Sequence, residues 1–373
     1  MNVLMVTPHL PPHQAANALL PHLLGQALGA RGHTARFLTF DDEGGRSGGR
    51  PGTAYVRRRA ARLRRTRLPQ ALEAAETWWK AGPLVRASEL AHIHSSTWMN
   101  QVAARLCLRH RRPYVLTHYG TEIWHHDRRD ERFRRFNRDA HHVTFYSQAL
   151  LDRAREMDLP VRRASVVYPP VADEFRARPA AERDALRARL LPGGGALLLN
   201  VKRLHPLADQ ATLLEAMARV RRRREDAVLL VAGRGEEEAG LRARAARLGL
   251  EGAVRFLGLV PNEQVAELQA AADLFVLSSV LEATPTVALE ALACGTPVVS
   301  TDNPGGKELA GVFGDDVTVV PMRDPAALAE AILAFLAAPR RTREASAALV
   351  AERFRLAGVA ERYLDLYREA LGR

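Results

Sequence analysis

Ser278-Ser-Val-Leu-Glu-Ala-Thr-Pro-Thr-Val-Ala-Leu-Glu-Ala-Leu-Ala-Cys-Gly-Thr-Pro-Val-Val-Ser300 runs from the end of an apolar strand, through a short apolar helix, into a second strand. Thr284 is the expected N-cap, Pro285 suits the first helical position, and Gly295 followed by Pro297 stops the helix. One carboxylate, Glu282, falls just before the helix start; a second, Glu290, falls among Val287, Ala288, Leu289, Ala291 and Leu292. A helix N-terminus presents unpaired N–H donors and positive dipole charge, which suit a phosphate group. A carboxylate in an apolar helix needs a specific partner. The simplest chemical use of this arrangement is a phosphate pocket flanked by two carboxylates.

Outward from this stretch, short β-branched runs alternate with helical patterns, as in parallel βαβ units. Strands are expected at 2–7, 34–39, 114–117, 143–146 and 165–168 in the first half. In the second half they are expected at 196–201, 227–232, 254–257, 274–277 and 298–301. Pro192-Gly-Gly-Gly195 and the Tyr168-Pro-Pro170 turn bracket a change of domain. The expected division is 1–178, with a closing helix at about 355–373 returning to it, and 179–354. Two such doubly wound α/β domains in tandem face each other across a cleft, with ligands at the strand ends. Asp41–Gly52 is Gly-rich and charged and reads as a mobile loop.

The chain has 373 residues, enough for two cores, and a net charge of +12. Residues 1–178 hold 29 Lys and Arg against 16 Asp and Glu, so the excess lies wholly in the first half. Seven arginines crowd Arg57–Arg67, with Trp78 and Trp79 downstream. Arginines with interfacial aromatics fit an anionic membrane surface, and the absence of a recognition motif argues against nucleic acid. Only three lysines occur, Lys80, Lys202 and Lys307. No membrane span or leader peptide is read, and two cysteines, Cys107 and Cys294, make neither a disulfide framework nor a zinc site. The expected location is the cytoplasm, with peripheral contact at the inner face of the membrane.

Asn200-Val-Lys-Arg-Leu204, Leu229-Leu-Val-Ala-Gly233, Val254-Arg-Phe-Leu-Gly258, Ala272-Asp-Leu-Phe-Val-Leu277 and the Glu282/Glu290 segment together resemble the donor domain of retaining GT-B glycosyltransferases of family 4 (glycosyl transferases group 1). Weaker likenesses run from Pro11-Pro12 to Gly32-His33, over Thr117-His-Tyr-Gly-Thr-Glu122 and over Val166-Val-Tyr-Pro-Pro-Val171. Val359–Tyr367 resembles the family's closing helix. The resemblance implies two Rossmann-like domains and transfer of a sugar from a nucleotide diphosphate sugar to an acceptor hydroxyl. Envelope glycolipid, polysaccharide or a secondary-metabolite aglycone would supply that hydroxyl. No metal and no cofactor beyond the nucleotide sugar is implied.

The same resemblance assigns residues. Arg203 grips the diphosphate, Glu282 meets the sugar hydroxyls, Glu290 the ribose, and the backbone of Thr284, Pro285, Thr286 and Val287 the sugar or phosphate oxygens. Leu259 and Val260 present backbone to the nucleobase, and His118 contacts the transferring sugar. Two departures stand out. The family's lysine five residues after the arginine is Ala208 here, and its glycine pair in the first loop aligns with Ala15-Ala16, next to Asn17, on the acceptor side. Lys202 is a further donor-side cation, but strand alternation turns it to the face opposite Arg203. Gly233-Arg-Gly235 echoes a dinucleotide loop, yet it lacks the third glycine and precedes Glu236–Glu238, which excludes a nicotinamide cofactor. The departures leave two alternatives in view: a catalytically weak nucleotide-sugar-binding protein, and a basic membrane or nucleic-acid adaptor.

Overall fold

The computed structural model describes residues 1–11, 13, 16–41, 51–58, 68–124 and 130–373. Most of the expected 41–52 loop and of the 57–67 arginine run, and Ala15, lie outside the described residues. The chain forms two compact units, Met1–Pro170 with Leu356–Arg373, and Val171–Arg355. The division therefore falls after Pro170, not after 178. Val171 belongs with the second unit because its N–H donates to the Phe354 carbonyl at 2.7 Å.

In the first unit the elements are β1 (Asn2–Val6), α1 (Ala16–Ala30), β2 (Thr34–Asp41), β3 (Thr53–Arg57), α2 (Leu68–Ala87), β4 (Leu90–His94) and α3 (Trp98–Arg109). These are followed by β5 (Tyr114–His118), α4 (Thr121–Trp124), α5 (Glu131–Arg138), β6 (His142–Phe145), α6 (Gln148–Glu156) and β7 (Ala164–Val166). All strand pairs are parallel, in the order β3-β2-β1-β4-β5-β6-β7. β4 and β5 are buried throughout, as strands covered on both faces must be. β3 and β4, and the strand Val317–Val320 of the second unit, are ones that periodicity did not single out. β4 reads Leu-Ala-His-Ile-His, and its two histidines are kept inside by hydrogen bonds. His92 Nε2 lies 2.7 Å from Thr117 Oγ1 and Nδ1 2.6 Å from Tyr367 Oη, while His94 Nδ1 lies 2.7 Å from Tyr119 Oη. Burial pushes His92 down to about 3 and His94 well below its ordinary value, so both rings are neutral.

The second unit runs α7 (Ala180–Leu190), β8 (Leu197–Val201), α8 (Gln210–Arg221), β9 (Val228–Ala232), α9 (Glu238–Arg247), β10 (Val254–Gly258) and α10 (Asn262–Ala271). It continues with β11 (Leu274–Leu277), α11 (Thr286–Ala293), β12 (Val298–Thr301), α12 (Pro304–Phe313), β13 (Val317–Val320), α13 (Pro325–Ala337) and α14 (Glu344–Arg353). Its sheet is also all parallel, in the order β10-β9-β8-β11-β12-β13. Leu198, Leu213, Met217, Leu229, Val276 and Ile332 form the centre of an aliphatic core. In both sheets the order reverses direction beside the first strand. In the second sheet that point lies between β8 and β11, whose C-terminal ends lead to Lys202 and to the 278–285 segment.

After α14 the chain returns as α15 (Leu356–Ala370), which belongs to the first unit. Tyr363 Oη lies 3.3 Å from both Thr117 Oγ1 and Thr144 Oγ1, Tyr367 meets His92, and Arg31 pairs with Glu361 at 2.7 Å.

Candidate active site

The site in the second unit is built where the strand order reverses. Asn200, near the end of β8, donates from Nδ2 to the Val276 carbonyl on β11 at 2.8 Å and fixes the two strand ends together. Past β11, Ser278 Oγ donates to the Ala208 carbonyl at 2.8 Å and the Val280 N–H to the Leu207 carbonyl at 2.9 Å. The turn after β8 is therefore docked on the segment that leads to Glu282. Ala208 is buried in this contact. Asp209, which follows it, takes a left-handed backbone at φ 46° and caps α8, its carboxylate accepting from Thr212 Oγ1 at 2.8 Å. No cation issues from position 208.

Lys202 supplies one instead. Its ammonium lies 2.5 Å from Glu282 Oε1, with both side chains largely covered. The alternation of Lys202 and Arg203 holds, but with the sides exchanged from the expectation. Residue 202 faces Glu282, while Arg203 is 71% exposed and reaches Glu236 at 3.3 Å. A pair so exposed is screened by solvent and does not fix the guanidinium. His205 joins the same carboxylate at 3.5 Å.

α11 begins one residue later than its sequence signals, with Pro285 rather than Thr284 at the N-cap and Thr286 as the first helical residue. Proline has no side-chain acceptor, and no cap hydrogen bond forms, so the N–H groups of Thr286 and Val287 have no intrahelical partner. Ala283, between Glu282 and the helix start, is not at positive φ. The segment 282–285 is braced by α12: the Gly305 N–H donates to the Glu282 carbonyl at 3.0 Å, and a Cβ on Gly305 would stand 2.8 Å from Pro285 Cδ. Asn303 caps α12 through the Gly306 N–H at 2.9 Å and donates to the Ser279 carbonyl at 3.0 Å. Gly305 and Asn303 are supports that the sequence alone did not single out, since their role exists only once α12 meets the 282–285 turn.

Glu290 projects from the first turns of α11 with only partial exposure. Burial, then the charge of Glu174, push its carboxyl up to about 7, and Lys202 partly offsets them. Glu174 lies in the segment that opens the second unit and is another neighbour missed in the sequence. Gly233 and Gly235 have a packing purpose. A Cβ on either would come within 2.0 Å of the carbonyl of Lys202 or Leu204 respectively. They let the end of β9 run against residues 202–204, where Lys202 N–H donates to the Ala232 carbonyl and Leu204 N–H to the Arg234 carbonyl. Leu259 is 65% exposed and, with Val260, Leu257 and Gln264, lines a cavity of about 580 Å³ that Arg189 and Glu267 also border.

In the first unit His118 ends β5 with no exposure. Its Nε2 lies 2.7 Å from Asn137 Oδ1, its Nδ1 3.5 Å from Glu122 Oε1, and its ring sits between Phe133 and Phe145. Burial alone would raise the Glu122 carboxyl, but the hydrogen bond and charge of His118, with the backbone N–H groups of its own turn, bring it below the ordinary value. Glu122 Oε1 also accepts the Tyr119 N–H at 3.0 Å, so the pair pins the turn after β5. Ala16 is exposed, and the Asn17 carbonyl accepts from Thr7 Oγ1 at the end of β1. Both cysteines are buried, with thiols pushed up to about 12 by burial. Among the described residues no group of three or more His, Cys, Asp or Glu comes together to hold a metal ion, and no helix is long and apolar enough to cross a membrane.

Set beside known proteins, residues 182–349 match the model of the family Glycosyl transferases group 1, and residues 22–175 that of Glycosyltransferase Family 4. D-inositol 3-phosphate glycosyltransferase 2 of Catenulispora acidiphila is 37% identical over 221 residues, 56% of this chain and 51% of that protein. The D-inositol 3-phosphate glycosyltransferase of Geodermatophilus obscurus is 40% identical over 185 residues, 47% of this chain and 41% of that protein. The chain thus spans about half the length of the curated relatives it matches. Among solved structures, sucrose-phosphate synthase of Thermosynechococcus elongatus superposes with a TM-score of 0.78 at 20% identity, over 100% of this chain and 99% of that one. Anabaena HepE in complex with UDP gives 0.77 at 20% identity, over 99% and 100%. At such identity the structural likeness speaks for the fold. With that fold in both units and the two family models accounting for most of its length, the chain belongs to the group 1 glycosyltransferases of GT-B architecture.

Proposed function

We propose that the chain transfers a sugar from a nucleotide diphosphate sugar to an acceptor hydroxyl with retention of anomeric configuration. The observation that carries this reading is the convergence, at one reversal of strand order, of Lys202, Glu282, Glu290 and the unpartnered N–H groups of Thr286 and Val287. Each meets a distinct part of such a donor. Lys202, with Arg203 swung from its exposed pair, neutralises the departing diphosphate. The N–H groups of Thr286 and Val287 at the start of α11 take sugar or phosphate oxygens. Glu282 accepts from the sugar hydroxyls, Glu290 from the ribose, and backbone at Leu259 and Val260 meets the base. UDP is the first donor nucleotide to test, because neighbours of this fold were solved with UDP and UDP-glucose.

On the acceptor side, the charge excess of residues 1–178 favours an anionic acceptor. An inositol phosphate, as in the names of the relatives, is one candidate, and an envelope glycolipid or polysaccharide another. His118 enters this reading as a positioning residue that holds Glu122 and the turn after β5. Ala16 and Asn17, at the start of α1, border the acceptor. The cationic side chains make a metal ion unnecessary.

Thermal-shift screening with UDP-, GDP-, ADP- and dTDP-sugars, followed by transfer assays on the stabilising donor, tests the proposal. The expected result is a rise in Tm with one nucleotide class. Transfer should persist in EDTA, fall at least 100-fold in Glu282→Ala and yield product of unchanged anomeric configuration. An inverted product overturns retention. Loss of transfer on chelation overturns metal independence, and no shift with any donor overturns the function itself.

A further inference from the structure

The ammonium of Lys202 is already occupied before any donor arrives. It lies 2.5 Å from Glu282 Oε1, and the two side chains keep only 28% and 11% of their exposure. Both flank the start of α11, and both are the groups that the preceding reading assigns to opposite ends of one ligand, diphosphate and sugar. An ion pair held in such cover is strong enough to matter and too wet to be permanent. Neither partner can serve the donor fully while it serves the other.

Resting on that reading, we propose that the Lys202–Glu282 pair is a guard that makes the pocket prefer a sugar-bearing nucleotide to the spent nucleoside diphosphate. An incoming diphosphate draws the ammonium off Glu282. The carboxylate, covered to 11% exposure, then needs new donors. A nucleotide that carries a sugar brings them as hydroxyl groups. A bare nucleoside diphosphate does not, so it binds at the cost of a covered carboxylate stripped of its cation.

Three observations support the hand-over. Lysine is rare here, three against a background of arginine, yet it stands at 202. An ammonium can pivot from one oxygen to another, whereas a guanidinium holds a carboxylate in a planar fork. Position 208 is a buried alanine, so no second lysine shares the charge. Glu290, which also feels the charge of Lys202, has its carboxyl pushed up to about 7 by burial and Glu174 and so competes weakly for the ammonium.

The measured quantity is the ratio of Kd for UDP to Kd for UDP-glucose, by calorimetry on the full chain, with uridine as a probe lacking phosphate; GDP or ADP pairs replace them if the screen selects another base. In Glu282→Gln, which keeps the shape and removes the charge, UDP should bind roughly 3- to 10-fold tighter and UDP-glucose no tighter, so the ratio collapses. In Lys202→Ala, UDP should weaken by roughly 10-fold or more while uridine is unchanged. A Glu282→Gln chain that merely misfolds would weaken all three probes, and circular dichroism of each variant checks for this. An unchanged ratio, or UDP no tighter in Glu282→Gln, overturns the guard while leaving the donor site standing. Wild-type protein that binds no nucleotide overturns both.

Discussion

Glu290 has its carboxyl pushed up to about 7 from 4.5 by burial and by Glu174. A group whose folded value lies above its unfolded one favours folding most at low pH. Its contribution is full below 4.5, shrinks as pH rises, and is gone above 7, because between those values the folded chain holds a proton that the unfolded chain has released. The second unit should therefore lose stability from pH 4.5 to 7 on this account and then level off. Glu290→Gln should flatten that slope in urea melts across pH, removing at most about 3 kcal/mol of pH dependence. In donor binding the sign is reversed, since a ribose hydroxyl needs the ionised carboxylate as acceptor. Affinity should rise through pH 7 in the wild type and lose this rise in Glu290→Gln.

Strand β4 shows at the element scale what the chain does with polarity inside a sheet. His92 is satisfied on both nitrogens, one by Thr117 and the other by Tyr367 at a separation of 275 residues. Tyr367→Phe leaves a buried ring nitrogen without its partner, and the expected loss is about 1–3 kcal/mol, read as a lower urea midpoint. These same contacts explain what could be read along the chain. Leu197–Val201, Val228–Ala232 and Leu274–Leu277 are apolar runs bounded by turns, and they stood out as strands. Leu90-Ala-His-Ile-His94 did not, because its two histidines are accommodated only by Tyr119, after β5, and by Tyr367 of α15. The carboxylates of the site and the approximate start of α11 were legible because they are contiguous. Gly305, Asn303 and Glu174 were not, because only the folded second unit brings them to residues 279–290. The facing of Lys202 was misread because alternation says that two neighbours diverge, without saying which of them turns toward Glu282.

For the whole molecule, charge asymmetry is the property most open to measurement. The first half carries the entire positive excess, and α2 presents Trp78 at 43% and Trp79 at 74% exposure, with Arg109 stacked over Trp78 at 5.9 Å. Indoles flanked by guanidiniums match the headgroup region of an anionic bilayer, at about 1 kcal/mol per nearby basic residue. The full chain should co-sediment with phosphatidylglycerol vesicles in low salt and release as ionic strength passes about 0.5 M. Trp79→Ala should weaken binding several-fold, and neutral phosphatidylcholine vesicles should bind little. Equal binding to both vesicle types would remove the electrostatic basis for membrane contact.

The return of α15 to the first unit sets a timetable for synthesis. A ribosome that has delivered residues 1–170 has made every strand of that sheet, yet the hydroxyls that receive His92, Thr117 and Thr144 are still nearly two hundred codons away. Residues 171–355 have all their own strands and can settle first as the chain emerges. Until α15 has been made, the buried His92 of that sheet lacks the Tyr367 hydroxyl that satisfies it.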